Sequence, residues 1–184
     1  MEGFHFGAQP WVYPQPVLII ASYGEDGTPD AMNAAWGGVA DSSRIAMYLS
    51  GGHKTVKNIL KRGAFTVSMG DAEHAAACDY VGIESGNSVP NKVARAGFHV
   101  TKSEHVDAPV IDELPLDENG KLAVEKLHVI TFDYANHGYY VLGEKVASAF
   151  EDGRKRRVPY FLRDAALFCR FGQDFDFVCA KSTH

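Results

Sequence analysis

Apolar and polar positions along the chain change period several times. Val17 to Tyr23 (VLIIASY) is a β-rich run that reads as a strand. Glu25-Asp26-Gly27 is a turn signal, and Asp30 to Trp36 reads as a second, weaker strand, so the pair predicts a hairpin. Gly37-Gly38 reads as a break, and Arg44 to Ser50 (RIAMYLS) as a third strand. In TVKNILKRG the pattern changes to a helical period. Thr55 is the expected N-cap, Val56, Ile59 and Leu60 the apolar face, and Gly63 the C-terminal stop. Ala64 to Met69 alternates like a strand, and alanine-rich Ala72 to Val81 reads as a helix. After a loop, Asn91 to Ala96 forms a short helix. Phe98 to Thr101 and His105 to Ile111 look extended, with Pro109 assigning the second to an edge. Leu127 to Phe132 and Gly138 to Ala147 supply two further strands.

Six or seven strands with two or three short helices do not alternate as βαβ units. They predict a mainly β, α+β domain, an antiparallel barrel or sandwich with helices at its ends. A chain of 184 residues, 46% hydrophobic and 22% charged, is long enough for one cored domain and has a globular composition. It leaves no room for a substrate domain beside a nucleotide-binding one. The formal charge of −5 speaks against nucleic acid or an anionic membrane as partner. The three cysteines fit a reducing compartment, no stretch has the length of a membrane span, and the N-terminus lacks the pattern of a secretory signal. A cytoplasmic protein is the expectation.

Several chemistries lack their motif. There is no G-x-G-x-x-G, no C-x-x-C, no H-E-x-x-H and no G-x-S-x-G. A Walker loop ending at Lys54-Thr55 would need glycines where Tyr48 and His53 stand. The eight histidines are scattered without paired spacing, so no metal site is expected.

One segment carries chemistry. Ser50-Gly51-Gly52-His53-Lys54-Thr55 lies between a strand and a helix start, where glycines allow close backbone approach and unpaired N–H groups favour an anion. His53, Lys54, Lys57 and the Thr55 hydroxyl concentrate donors in an otherwise acidic chain. That points to phosphate, against the alternative of a plain capped turn with solvated lysines. Upstream, Asn33-Ala34-Ala35-Trp36 sets small residues beside an aromatic, as a planar ring lying on backbone requires; the alternative is a buried core tryptophan.

Taken with Pro16 to Ser22, Gly63 to Ser68, Tyr80-Val81-Gly82 with Ser85-Gly86, Asn91-Lys92-Val93, Ala108 to Ile111 and Tyr139 to Val146, these stretches resemble the flavin reductase-like family, more closely its flavoredoxin-like branch. The resemblance covers residues from about 10 to 153 and implies a Greek-key split barrel that binds FMN. It implies that Ser50 to Thr55 receive the ribityl phosphate, with Lys92 near it from either subunit. Asn33, Ala34, Ala35 and Trp36 would lie along the isoalloxazine. The family often has an arginine where His53-Lys54 stand, and lysine supplies charge without the bidentate fork. Electrons would pass from NADH, NADPH or another donor through FMN to a flavin, a small molecule or a redox protein. His137 and Tyr139 are candidates for bonding a substrate, against a plain turn and core role. The alternatives are an electron carrier without turnover and a non-catalytic flavin- or haem-binding module. The resemblance also implies a homodimer. The domain is expected over residues 1–153, with 154–184, which begin at the basic run Arg154 to Arg157, as an extension of unassigned role.

Overall fold

A computed structural model of the chain describes residues 7–114, 128–146 and the strand 177–181. The hairpin forms where expected: β2 (Leu18–Tyr23) follows a two-residue β1 (Gln15–Pro16) and pairs antiparallel with β3 (Pro29–Ala34), Leu18 opposite Ala34 and Tyr23 opposite Pro29. The intervening turn has a local cause. Gly27 takes φ 82°, and the Asp26 carboxylate accepts from the amide and hydroxyl of Thr28 at 3.0 and 2.9 Å.

Next come β4 (Gly37–Asp41), β5 (Arg44–Tyr48), α1 (Lys54–Arg62) and β6 (Thr66–Met69), which pairs with the free side of β2. Gly37-Gly38, read as a break, instead begins β4. A side chain on Gly37 would stand 2.8 Å from the Ala46 carbonyl, so the glycine is what lets β4 close on β5. The remaining elements are α2 (Ala75–Ile83), α3 (Lys92–Arg95), β7 (Val100–Lys102), β8 (Pro109–Ile111), β9 (Ile130–Asp133), β10 (Gly138–Val141) and β11 (Phe177–Lys181). The sheets run β1-β9-β10, β11-β5-β4, β3-β2-β6 and β7-β8, all antiparallel. Eleven strands are described; those with no counterpart in the sequence reading are β1 at the proline-rich entry, β4 after the expected break at Gly37-Gly38, and β11 in the tail. Pro109 does lie in a two-stranded pair, where its missing N–H costs little.

Two cores lie on opposite faces of β2. Ile19, Ala21 and Ala31 pack with Val17, Cys78, Val81, Phe98, Ile111 and Ile130, toward α2. Leu18, Ile20, Met32 and Ala34 pack with Met47, Leu49, Val56 and Ile59, toward α1. This is why the Val17 to Ala21 run shows no alternation. The described residues up to Leu142, with β11, belong to one compact unit, and Gly143–Val146 are the described part of a second, 143–175. The boundary expected between 153 and 154 lies outside the described residues. Among the described residues no helix is long and apolar enough to cross a membrane.

Ile19 is fully buried, so Ile19→Ala should cost about 2–5 kcal/mol in urea unfolding. Cys78 makes a second test. Burial, then the charge of Asp71, pushes its thiol from 9.0 up to about 12. From pH 9 to 12 the unfolded chain therefore binds fewer protons than the folded one, and stability falls as pH rises; below 9 this group has no effect. Urea midpoints followed from about pH 8 to 10.5 should decline less steeply in Cys78→Ala than in the parent.

Candidate functional site

The glycine-rich segment opens α1 as expected, but with a different cap. His53 is the N-cap (φ −71°, ψ 141°), Lys54 the first helical residue and Thr55 the second. His53 makes no side-chain capping bond, and the Thr55 hydroxyl, already inside the helix, is turned inward and donates to Asp30 Oδ2 at 2.6 Å. The first-turn amides, which have no intrahelical partner, are thus left to solvent or ligand. The preceding turn closes on itself through His53 N to Ser50 O at 3.2 Å. A second loop, Ser85 to Pro90, is tied to it: Asn87 Nδ2 donates to Gly52 O at 3.1 Å and Lys57 Nζ to Asn87 Oδ1 at 3.1 Å. Between them lies a hollow of about 100 Å³, lined among others by His53, Lys54, Thr55, Ser85, Gly86 and Lys92. An adjoining hollow of about 260 Å³ shares Lys54 and Gly86 and reaches Asp26, Thr28 and Asp30.

Beneath these hollows is a buried polar knot. Lys92 Nζ donates to Val81 O and Glu84 O, each at 2.9 Å, and stands 3.6 Å from Asp30 Oδ1. Both side chains are only 4% exposed. Burial pulls the Lys92 ammonium below the ordinary lysine range, opposed by the charges of Asp30 and Glu84. Asp30 Oδ1 accepts no hydrogen bond, and a Cβ on Gly86 would collide with it. Asp30 and Gly86 as its seat were not singled out from the sequence. The one available signal was an acid on the same strand face as Met32 and Ala34.

The second expected segment is divided between environments. Asn33 faces the α2 core, where its Nδ2 donates to Cys78 O and to the Tyr139 hydroxyl, both at 3.2 Å. Ala34 is buried in the other core. Ala35 and Trp36 leave β3 into an open, largely apolar hollow of about 290 Å³, shared with Pro10, Val12, Pro16 and Tyr48. Trp36 is 40% exposed and meets Tyr134 edge-on at 5.9 Å.

His137 and Tyr139 serve different surroundings. His137 is exposed in the β9–β10 turn at φ 54°, 6.1 Å from the Tyr134 ring. Tyr139 points inward and donates to Asp79 Oδ1 at 2.7 Å; burial and then Asp79 raise its ionisation above the usual tyrosine value. The structure thus gathers His53, Lys54, Thr55 and Lys92 around one hollow and Ala35 and Trp36 on another. From Met32, on the first hollow, to Ala35, on the second, is about 10 Å of strand.

Residues 12–151 match the flavin reductase like domain. None of the curated proteins matches the chain. The structure is similar to flavoredoxin of Desulfovibrio vulgaris (Miyazaki F), with TM-score 0.77 and 30% identity over 83% of this chain and 100% of that one. It is similar in fold to flavoredoxin from Methanosarcina acetivorans, with TM-score 0.72 and 19% identity over 84% and 99% of the two chains. It is also similar in fold to nitrilotriacetate monooxygenase component B from Bacillus cereus, with TM-score 0.61 and 20% identity over 74% and 88%. The antiparallel sheets and short helices are the split-barrel architecture of these proteins, and the chain belongs to the flavin reductase-like family.

Proposed function

We propose that this chain binds FMN and passes electrons through it, as an oxidoreductase of the flavin reductase kind. The observation that carries the reading is the uncapped start of α1, set in a hollow with Lys54 on its wall and Lys57 one turn away. A helix N-terminus with adjacent cations suits a phosphate dianion. The aromatic hollow farther along the same strand suits a planar ring, so the donor set and the apolar surface fit the two ends of this cofactor.

The bound flavin would supply hydride and electron exchange at its ring. The chain's part is placement. The amides of Lys54, Thr55 and Val56 and the Lys54 ammonium hold the phosphate, while Ser50, Gly51, Gly52 and His53 shape the approach to it. Ala35 leaves room beside the ring, and Trp36, Tyr48 and the prolines exclude water from one side. His137, beyond Tyr134, is placed to bond an incoming donor such as NADH or NADPH, or the acceptor. The working unit is a homodimer of about 40 kDa. The second reading is an electron carrier without its own turnover, favoured by the 30% identity to a flavoredoxin.

The purified chain should be yellow and release FMN on denaturation. A colourless protein that does not retain added FMN would overturn the reading. Lys54→Ala should weaken FMN binding about tenfold, the loss of one charge-assisted contact, and leave riboflavin binding within about twofold. Following NADH and NADPH oxidation with free flavin as acceptor separates the two readings. Sustained turnover supports the reductase, and stoichiometric reduction without turnover supports the carrier.

A further inference from the structure

We infer that Gln15 gives the aromatic hollow its chemical selectivity: its side-chain amide bonds a planar ring at an edge where a carbonyl and an N–H stand side by side. The pyrimidine edge of a flavin and the carboxamide of a nicotinamide both carry that pair. The inference rests on the flavin reading above and deepens it.

The starting observation is an orphaned atom. Gln15 lines the hollow of about 290 Å³, and its Oε1 is buried and accepts no hydrogen bond. A buried acceptor without a partner costs stability, whereas an apolar side chain of similar length would cost little. Proteins break that rule chiefly at functional positions, where a ligand recovers the loss.

The walls of the hollow explain why the protein supplies no partner. Pro10, Pro14 and Pro16 have no N–H to give, and Ala35 presents only a methyl group. Water is a poor substitute, because it needs several polar partners of its own. No described residue lining the hollow is charged, so a neutral ring edge suits it and a phosphate or carboxylate does not. The ligand that fits is flat, apolar over most of its area and polar along one edge.

Gln15 complements such an edge better than its neighbours do. The Trp36 indole offers a donor only, and Tyr48 a single hydroxyl. The Gln15 amide presents an acceptor and donors in one plane. Its oxygen takes the N–H of the ring edge while its nitrogen donates to the adjoining carbonyl, the two-pronged geometry by which glutamine reads an adenine edge. The last torsion of a glutamine side chain is broad and two-fold, so a half-turn brings either end of the amide to the hollow. The support beneath it is rigid. Gln15 stands between Pro14 and Pro16, and it is paired with Phe132 of β9. The Pro16 ring confines the Gln15 backbone to extended conformations, which presents the amide from a fixed position.

The test has two arms on the full chain, each comparing a ligand with an analogue that lacks the N–H. The flavin arm titrates FMN against its N3-methyl derivative by flavin fluorescence. The nicotinamide arm titrates the FMN-loaded chain with NAD+ and with its analogue carrying acetyl in place of the carboxamide, read by perturbation of the flavin spectrum. The parent should bind the N–H form about tenfold tighter in at least one arm, the worth of one hydrogen bond in an apolar pocket. In Gln15→Met, similar in length but apolar, that preference should shrink to less than about twofold, while the urea midpoint of the ligand-free chain does not fall. The arm that responds identifies the ring edge. A parent without preference in either arm overturns the proposal, and so does a preference that Gln15→Met retains. Should Gln15→Met not fold, Gln15→Leu is read in the same way. A parent that binds no flavin overturns the flavin reading, and this inference with it. A parent that binds flavin and shows no preference in either arm overturns this inference alone.

Discussion

Burial of β2 on both faces is the constraint from which the rest follows. A strand with no solvated side needs a core on each face, and each core needs a cover. α1 packs on one core and α2 on the other. The neighbouring β3 then sends alternate side chains to different helices. Asp30 reaches Thr55 in α1, while Asn33 reaches Cys78 O in α2. Strand parity therefore assigns each polar residue to its helix. A slip of one position would put the carboxylate in the α2 core and the amide under α1.

The features legible in the sequence were those with a local cause. The hairpin was visible because Asp26 and Gly27 act within a five-residue turn. The end of α1 was visible because Gly63 takes φ 69° and its amide bonds Ile59 O. The features missed depended on partners distant in sequence. Gly37-Gly38 looked like a break because nothing near it reveals the Ala46 carbonyl across β4 and β5. Thr55 looked like a cap because the acid that claims its hydroxyl lies on another strand. The family resemblance puts Lys92 near a phosphate, but it does not reveal that the direction of its amine is set by Val81, Glu84 and Asp30. The tail was given no role from its composition; the structure pairs Phe177–Lys181 with β5 and extends that sheet by a strand.

On the proposed reading, a chain of charge −5 favours an anion locally. Exposed acids such as Glu25 and Asp107 are engaged by Lys61, Arg62 and Lys102 at the surface, so they weigh little at a distance. What decides is the wall of the hollow, where Lys54 and the helix dipole act on one side and the self-neutralised Asp30–Lys92 pair on the other.

Cys78 has a consequence for durability. Thiolates, not thiols, are what peroxide attacks. With burial pushing its thiol up to about 12, Cys78 stays protonated at neutral pH behind a fully closed core. Its backbone carbonyl is meanwhile engaged by Asn33. The residue thus sits next to the polar network of the barrel while burial keeps its sulfur inert toward oxidants.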